Sequence, residues 1–139
     1  MKNCLVFLIS LSLVGCASIR HEPKEPTVAP LMSRALTDMP GKEGLVLMVE
    51  YGPGAADPIH RHDAHAFVYV LEGSVVMQVQ GGDEVVLEAG QTFYEGPNDL
   101  HVVGCNASKT KPAKFVVFLV KDSGAPALIP EPRPLRHDD

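Results

Sequence analysis

The sequence predicts one all-β domain, a small sandwich or barrel, and three observations carry that expectation. Apolar residues recur with period two through the middle of the chain, the spacing of half-buried strands. Twelve Gly and twelve Pro in 139 residues, against 6% aromatics and no Trp, supply turns at short intervals. Nowhere is there a capped amphipathic run of ten residues that would build a helix. A chain of 139 residues has room for one domain, and 45% hydrophobic residues suffice to pack it. The formal charge of −5 lacks the basic stripe of a nucleic-acid surface, so no nucleic-acid partner is expected. Three Cys, two of them within the first sixteen residues, cannot form a disulfide framework.

In chain order, residues 1–15 read as an address. Lys2 gives a positive start, and Cys4 to Val14 is apolar except for Ser10 and Ser12. A membrane-spanning helix needs about 20 apolar residues, so this stretch has the size of a signal-peptide core instead. Leu13-Val14-Gly15-Cys16 resembles the lipobox of bacterial lipoproteins. That resemblance implies cleavage before Cys16, lipidation of its thiol, and a soluble domain held at the membrane without spanning it. Ala17 is not the Asp that retains such proteins at the inner membrane. The expected place is therefore the cell envelope, on the outer membrane facing the periplasm.

Residues 16–40 are expected to hold the lipidated Cys, a tether and an entry strand. Ser18 to Pro30 is rich in Pro, Glu, Lys and His, and Pro23, Pro26 and Pro30 forbid a helix, so it reads as a solvated tether. Residues 41–121 carry the barrel. Leu45 to Val49 and Phe67 to Leu71 read as buried strands. In Ser74 to Gln80, Val75, Met77 and Val79 share one face, and Gly81-Gly82 joins that strand to Val85-Val86-Leu87 as a tight hairpin. Phe93-Tyr94, His101 to Val103 and Phe115 to Val120 complete the set. Residues 122–139, with Pro126, Pro130, Pro132 and Pro134, form a Pro-rich tail, expected as an extended strap or a disordered end.

Four of the six His fall inside the barrel segment: His60, His62, His65 and His101. His60 and His62 are two apart, so on an extended backbone both rings project from one face and can grip one transition metal. His21 and His137 lie in the terminal segments and are not expected to be ligands.

These residues resemble a known family. Gly54-x5-His60-Arg61-His62-x3-Ala66-x6-Gly73 is similar to the first motif of the cupins, and Gly90-x10-His101 has the spacing of the second. The resemblance spans about residues 41 to 121 and implies a single cupin-type (jelly-roll) β-barrel. It carries over His60, His62 and His101 as metal ligands. The family's ligand Glu falls on Ala66, which has no ligand atom. Gly96 and Asn98 stand where the second motif has Pro and Gly, and Cys105 stands where it has Asn, with Asn106 following. His65 could replace the Glu only through a bulge after His62, because a one-residue slip turns a side chain to the opposite face. Asp63 and Glu50 are remoter candidates.

By alternation from His101, Cys105 is expected on the inward face, and Tyr69 and Tyr94 are candidates for the cavity wall. The resemblance implies a divalent transition metal, with Fe first and Mn, Zn, Ni or Cu open, and a dioxygenase-like oxidoreductase acting on a small molecule. With no carboxylate base in view, isomerisation is less attractive. A cavity that binds or senses a small molecule without turnover, with or without metal, is the other reading. A homodimer through the outer strands is implied by the same resemblance.

Overall fold

The structure, a computed structural model, describes residues 24–132. The signal segment, Cys16, His21, His137 and the end of the tail lie outside the described residues. Ten strands follow one another: β1 (Thr27–Ala35), β2 (Lys42–Tyr51), β3 (His60–Arg61), β4 (Ala64–Glu72), β5 (Ser74–Val79), β6 (Val85–Glu88), β7 (Thr92–Glu95), β8 (Leu100–Asn106), β9 (Ala113–Asp122) and β10 (Ile129–Pro130). No helix occurs among the described residues. The strands form two five-stranded antiparallel sheets, β1-β2-β9-β4-β7 and β10-β3-β8-β5-β6, packed face to face as a jelly roll.

The period-two pattern places the core between the sheets. On β9, Phe115, Val117 and Leu119 face inward, on β4 Ala66, Val68 and Val70, and on β5 Val75 and Met77. Each fully buried side chain of this size contributes about 1.5–3 kcal/mol. The segment Phe67 to Leu71 is not buried throughout. Val68 and Val70 point inward, while Phe67, Tyr69 and Leu71 point out and stay exposed, because only one face of this sheet is covered.

The solvated tether expected over Ser18 to Pro30 ends earlier than its composition suggests. Thr27 to Pro30 already belong to β1, which pairs only with β2, Pro30 lying opposite Leu47. An edge strand tolerates a Pro because one row of its N–H groups needs no partner in the sheet.

The tail begins as a strap across the barrel. After β9, the chain doubles back so that Ile129 pairs with Arg61 and Pro130 with His60. Arg61 meets Glu131 at 2.8 Å, and the Glu131 N–H donates to the Ile59 carbonyl at 2.9 Å. At the root of the strap, the buried Lys121 ammonium pairs with Glu43 and donates to the carbonyls of Asp122 and Ala125.

A bulge in β8 sets the phase of the site. Gln78 pairs with Val103 and Val79 with His101, so Val102 is an extra residue in its strand. His101 faces inward before the bulge, and Gly104 and Asn106 face inward after it. Asn106 lies one position beyond where unbroken alternation would put an inward residue. Its buried amide donates to the carbonyls of Tyr51, Gly52 and Lys111 and accepts from the Ser108 N–H.

Candidate metal centre

His60 and His62 reach the interior from the short strand β3 and the residue after it, and β8 brings His101 directly opposite His60. The ring centroids of His60 lie 4.9 Å from those of His62 and 4.8 Å from those of His101, and all three residues are buried. The fourth member is Glu95, at the end of β7, which the sequence motif does not mark. It is 2% exposed and lies opposite Ala66 in the β4–β7 ladder. Both residues of that pair face inward, so the carboxylate missing from Ala66 is supplied by its neighbour across the ladder. The sequence itself offers only alternation, which puts Glu95 on the same strand face as the apolar Phe93; in the structure the Phe93 ring stacks near His101.

One ligand atom each from His60, His62 and Glu95 falls within 4.8 Å of the others. Glu95 Oε2 lies 3.2 Å from His101 Nδ1 and 3.7 Å from His62 Nε2, and His101 Nδ1 lies 3.3 Å from His60 Nε2. Despite these approaches Glu95 Oε2 and His101 Nε2 are buried without a hydrogen-bond partner. Buried polar atoms are nearly always partnered, and the orphan Glu95 Oε2, lying between His62 and His101, is what a cation there would resolve. The histidine tautomers agree. His60 Nδ1 faces the Pro58 carbonyl at 2.9 Å and His62 Nδ1 faces the Ala127 carbonyl of the strap. Each Nδ1–H donates outward, which leaves the Nε2 lone pairs directed inward, the arrangement that orients metal-binding imidazoles. The group therefore fits a divalent transition metal.

Electrostatics follow the same geometry. Burial would raise the Glu95 carboxyl, but the imidazoles of His101, His62 and His60 outweigh it and hold its pKa below the usual range. Burial would lower His101, yet Glu95 and Asp57 raise it above an ordinary imidazole. His60 is lowered, by burial first and then by its neighbours His101 and His62.

A second carboxylate, Asp57, lines the same cavity, and its pKa is raised by burial. The Tyr51 hydroxyl donates to its Oδ2, and its own N–H donates to the Gly104 carbonyl at 2.8 Å. Burial, then Asp57, drives the Tyr51 phenol far above its ordinary pKa. Gly104 makes room for the group: a Cβ there would lie 3.1 Å from Asp57 Oδ2 and 3.2 Å from both His101 Cε1 and the Tyr51 hydroxyl. The expectation that the cavity lacks a carboxylate other than a ligand is thus corrected.

Several other candidates lie elsewhere. His65 points to solvent, its Nδ1 2.7 Å from the Tyr94 hydroxyl, because no bulge follows His62 to turn it inward. Tyr69 and Tyr94 are each 48% exposed on the outer face of the first sheet and do not line the cavity. Cys105 also faces away from it, because the Val102 bulge reverses the alternation that would have carried it inward. Burial, with Glu84 and Asp57 nearby, raises its thiol pKa, which disfavours the reactive thiolate. Glu50 pairs with Lys114 on the outside, and Asp63 is exposed.

A family model for the cupin domain matches residues 47–119. No curated protein matches the sequence. Among solved structures, the chain is similar to an uncharacterized conserved protein with a double-stranded beta-helix domain from Klebsiella pneumoniae, at 19% identity and TM-score 0.61, covering 81% of this chain and 90% of that one. It is similar to an oxalate oxidase in complex with the substrate analogue glycolate, at 24% identity and TM-score 0.59, covering 78% of this chain and 56% of that one. It is also similar to the DMSP lyase DddQ from Ruegeria pomeroyi, at 17% identity and TM-score 0.55, covering 63% of this chain and 42% of that one. The chain thus spans about half the length of the two enzymes.

Proposed function

Because the chain belongs to the cupin family, we propose that it holds a divalent transition metal between His60, His62, Glu95 and His101 and acts there on a small molecule. The observation that carries this reading is the unpartnered buried Glu95 Oε2, 3.7 Å from His62 Nε2 and 3.2 Å from His101 Nδ1, beside the His60 and His62 imidazoles whose Nδ1 atoms are turned outward. His60, His62 and Glu95, whose ligand atoms lie within 4.8 Å of one another, form a two-His, one-carboxylate set with His101 beside it, and such a set suits iron first, and with it dioxygenase-like chemistry. Bound iron would supply a Lewis acid and a redox centre. The chain's own residues orient the imidazoles through the Pro58 and Ala127 carbonyls and surround the site with an apolar wall of Leu47, Val49, Val68, Phe115 and Leu128. The oxalate oxidase and DMSP lyase likenesses support an enzyme of this class while leaving its substrate to experiment.

The test is the metal content of the chain purified without an affinity tag, beside His60→Ala. We expect close to one ion per chain in the parent and less than a tenth of that in the variant. Parent protein that stays metal-free after exposure to Fe, Mn, Zn, Ni and Cu salts would exclude the proposed centre.

The same reading places the protein at the outer membrane, facing the periplasm, through lipidated Cys16, supported by Leu13-Val14-Gly15-Cys16. Cys16→Ala is expected to move the protein from the membrane to the soluble fraction, and a variant that stays with the membrane would locate the anchor elsewhere. Pairing of two copies belongs here too, supported by the exposed Phe67, Tyr69, Tyr94 and Phe118 on the outer face of the first sheet. Sedimentation should give a dimer at micromolar concentration, and a monomer at every concentration would remove that part.

A further inference from the structure

The cavity sets two carboxylates among imidazoles. Among the described residues that line it, the titratable side chains are Asp57, Glu95 and the three histidines, with no Lys or Arg. The rest of the wall is apolar, with Val49, Val68, Met77 and Phe115 among it. Glu95 lies among the imidazoles. Asp57 feels His60 and His101 as well, but its side chain takes a hydrogen bond only from the Tyr51 phenol, a neutral group. Burying a carboxylate that no cation hydrogen-bonds is costly, and such groups concentrate where a ligand will meet them. Size adds a second limit. The cavity has a volume of about 100 Å³. One water takes about 30 Å³ of liquid, so the enclosed room suits a molecule of roughly three to five non-hydrogen atoms.

Resting on the metal-centre reading above, we propose that the site selects a small neutral or cationic molecule whose hydroxyl or amine donates to Asp57 while another of its atoms faces His60, His62 and Glu95. Against the ion's own pull on carboxylates, Asp57 sets a negative charge with no guanidinium or ammonium beside it, which shifts the balance away from small carboxylates. Asp57 is then the residue that determines specificity, and Tyr51 and Gly104 are positioning residues that hold its carboxylate toward the cavity.

The experiment uses the full chain loaded with cobalt(II) and follows its visible absorption during titration with ethanolamine and with glycolate. The two probes are close in size and opposite in charge. Metal ions favour carboxylates in their own right, so the decisive quantity is the ratio of the two Kd values, compared between the parent and Asp57→Asn. A hydrogen bond to a charged group is worth enough to shift that ratio about tenfold or more toward glycolate when the charge is removed. Asp57→Ser gives the same reading should the amide variant not fold. A ratio that stays within twofold, or a parent whose cobalt spectrum responds to neither probe, overturns the selectivity while leaving the metal centre standing. Failure of the parent to take up cobalt overturns the metal-centre reading and the selectivity with it.

Discussion

Glu95→Ala is expected to lower metal affinity at least about a hundredfold, beyond the 10–100-fold typical of losing an outer-shell partner. The carboxylate is 2% exposed, faces three imidazoles and makes no competing hydrogen bond through Oε2. A sharper form of the test exploits the ladder. Ala66 and Glu95 are paired across β4 and β7 and both face inward, and opposed Cβ atoms in such a pair lie about 4.5–5.5 Å apart. A carboxylate placed at Ala66 therefore starts from the adjacent position on the same inner face. The double variant Ala66→Glu/Glu95→Ala should recover affinity to within about tenfold of the parent, read by competition with a chromogenic chelator. If Glu95→Ala binds metal as tightly as the parent, the carboxylate is not a ligand. If the single variant fails and the double variant fails equally, position on the ladder matters more than charge.

The second large effect concerns stability. Lys121 is 3% exposed, its ammonium is satisfied by Glu43 and two carbonyls, and it stands where β9 passes into the strap. Lys121→Met leaves Glu43 without its partner. Because Glu43 keeps 19% of its side-chain surface in water, the cost should fall near the low end for a broken buried pair, on the order of 3 kcal/mol. For a domain of this size that is a fall in Tm of about 10 °C. Replacing both partners, Lys121→Met/Glu43→Met, removes the stranded charge and should recover most of the loss, since apolar replacements of buried pairs are often neutral. The Ala125 carbonyl still lacks its donor in that double variant. The strap should therefore stay loose, and metal should dissociate faster than from the parent although Tm has returned. Equal Tm values for the parent and Lys121→Met would show that the pair does not support the fold.

Much of this architecture was legible beforehand. Alternation located β5, β6 and β9, and the inward set Val75, Met77 is as the sequence reads, while the connection through Gly81-Gly82 is longer than a tight hairpin, its innermost pair being Met77 with Val85. His60, His62 and His101 meet because their spacing on short antiparallel strands brings them to one face. What could not be read depends on register. Nothing in one strand's sequence tells which residue of another lies opposite, so Glu95 could not be matched to Ala66. A bulge adds one residue without any signature here, so alternation points Cys105 inward, whereas the structure turns Asn106 inward in its place. Tyr69 and Tyr94 look like wall residues in sequence, because alternation alone does not say which of two faces is the core.

The strap bears on the order in which the molecule can be completed. The Ala127 carbonyl that fixes the His62 tautomer, and Ile129 and Pro130 that pair with Arg61 and His60, follow β9 in the chain and are synthesised after the barrel strands. Until they dock, one ligand imidazole is free to rotate and the cavity lacks the wall formed by Ala127 and Leu128. A finished binding site thus forms only after translation of the barrel has ended. An ion bound there would then be drawn from the metal pool of the compartment where the strap folds.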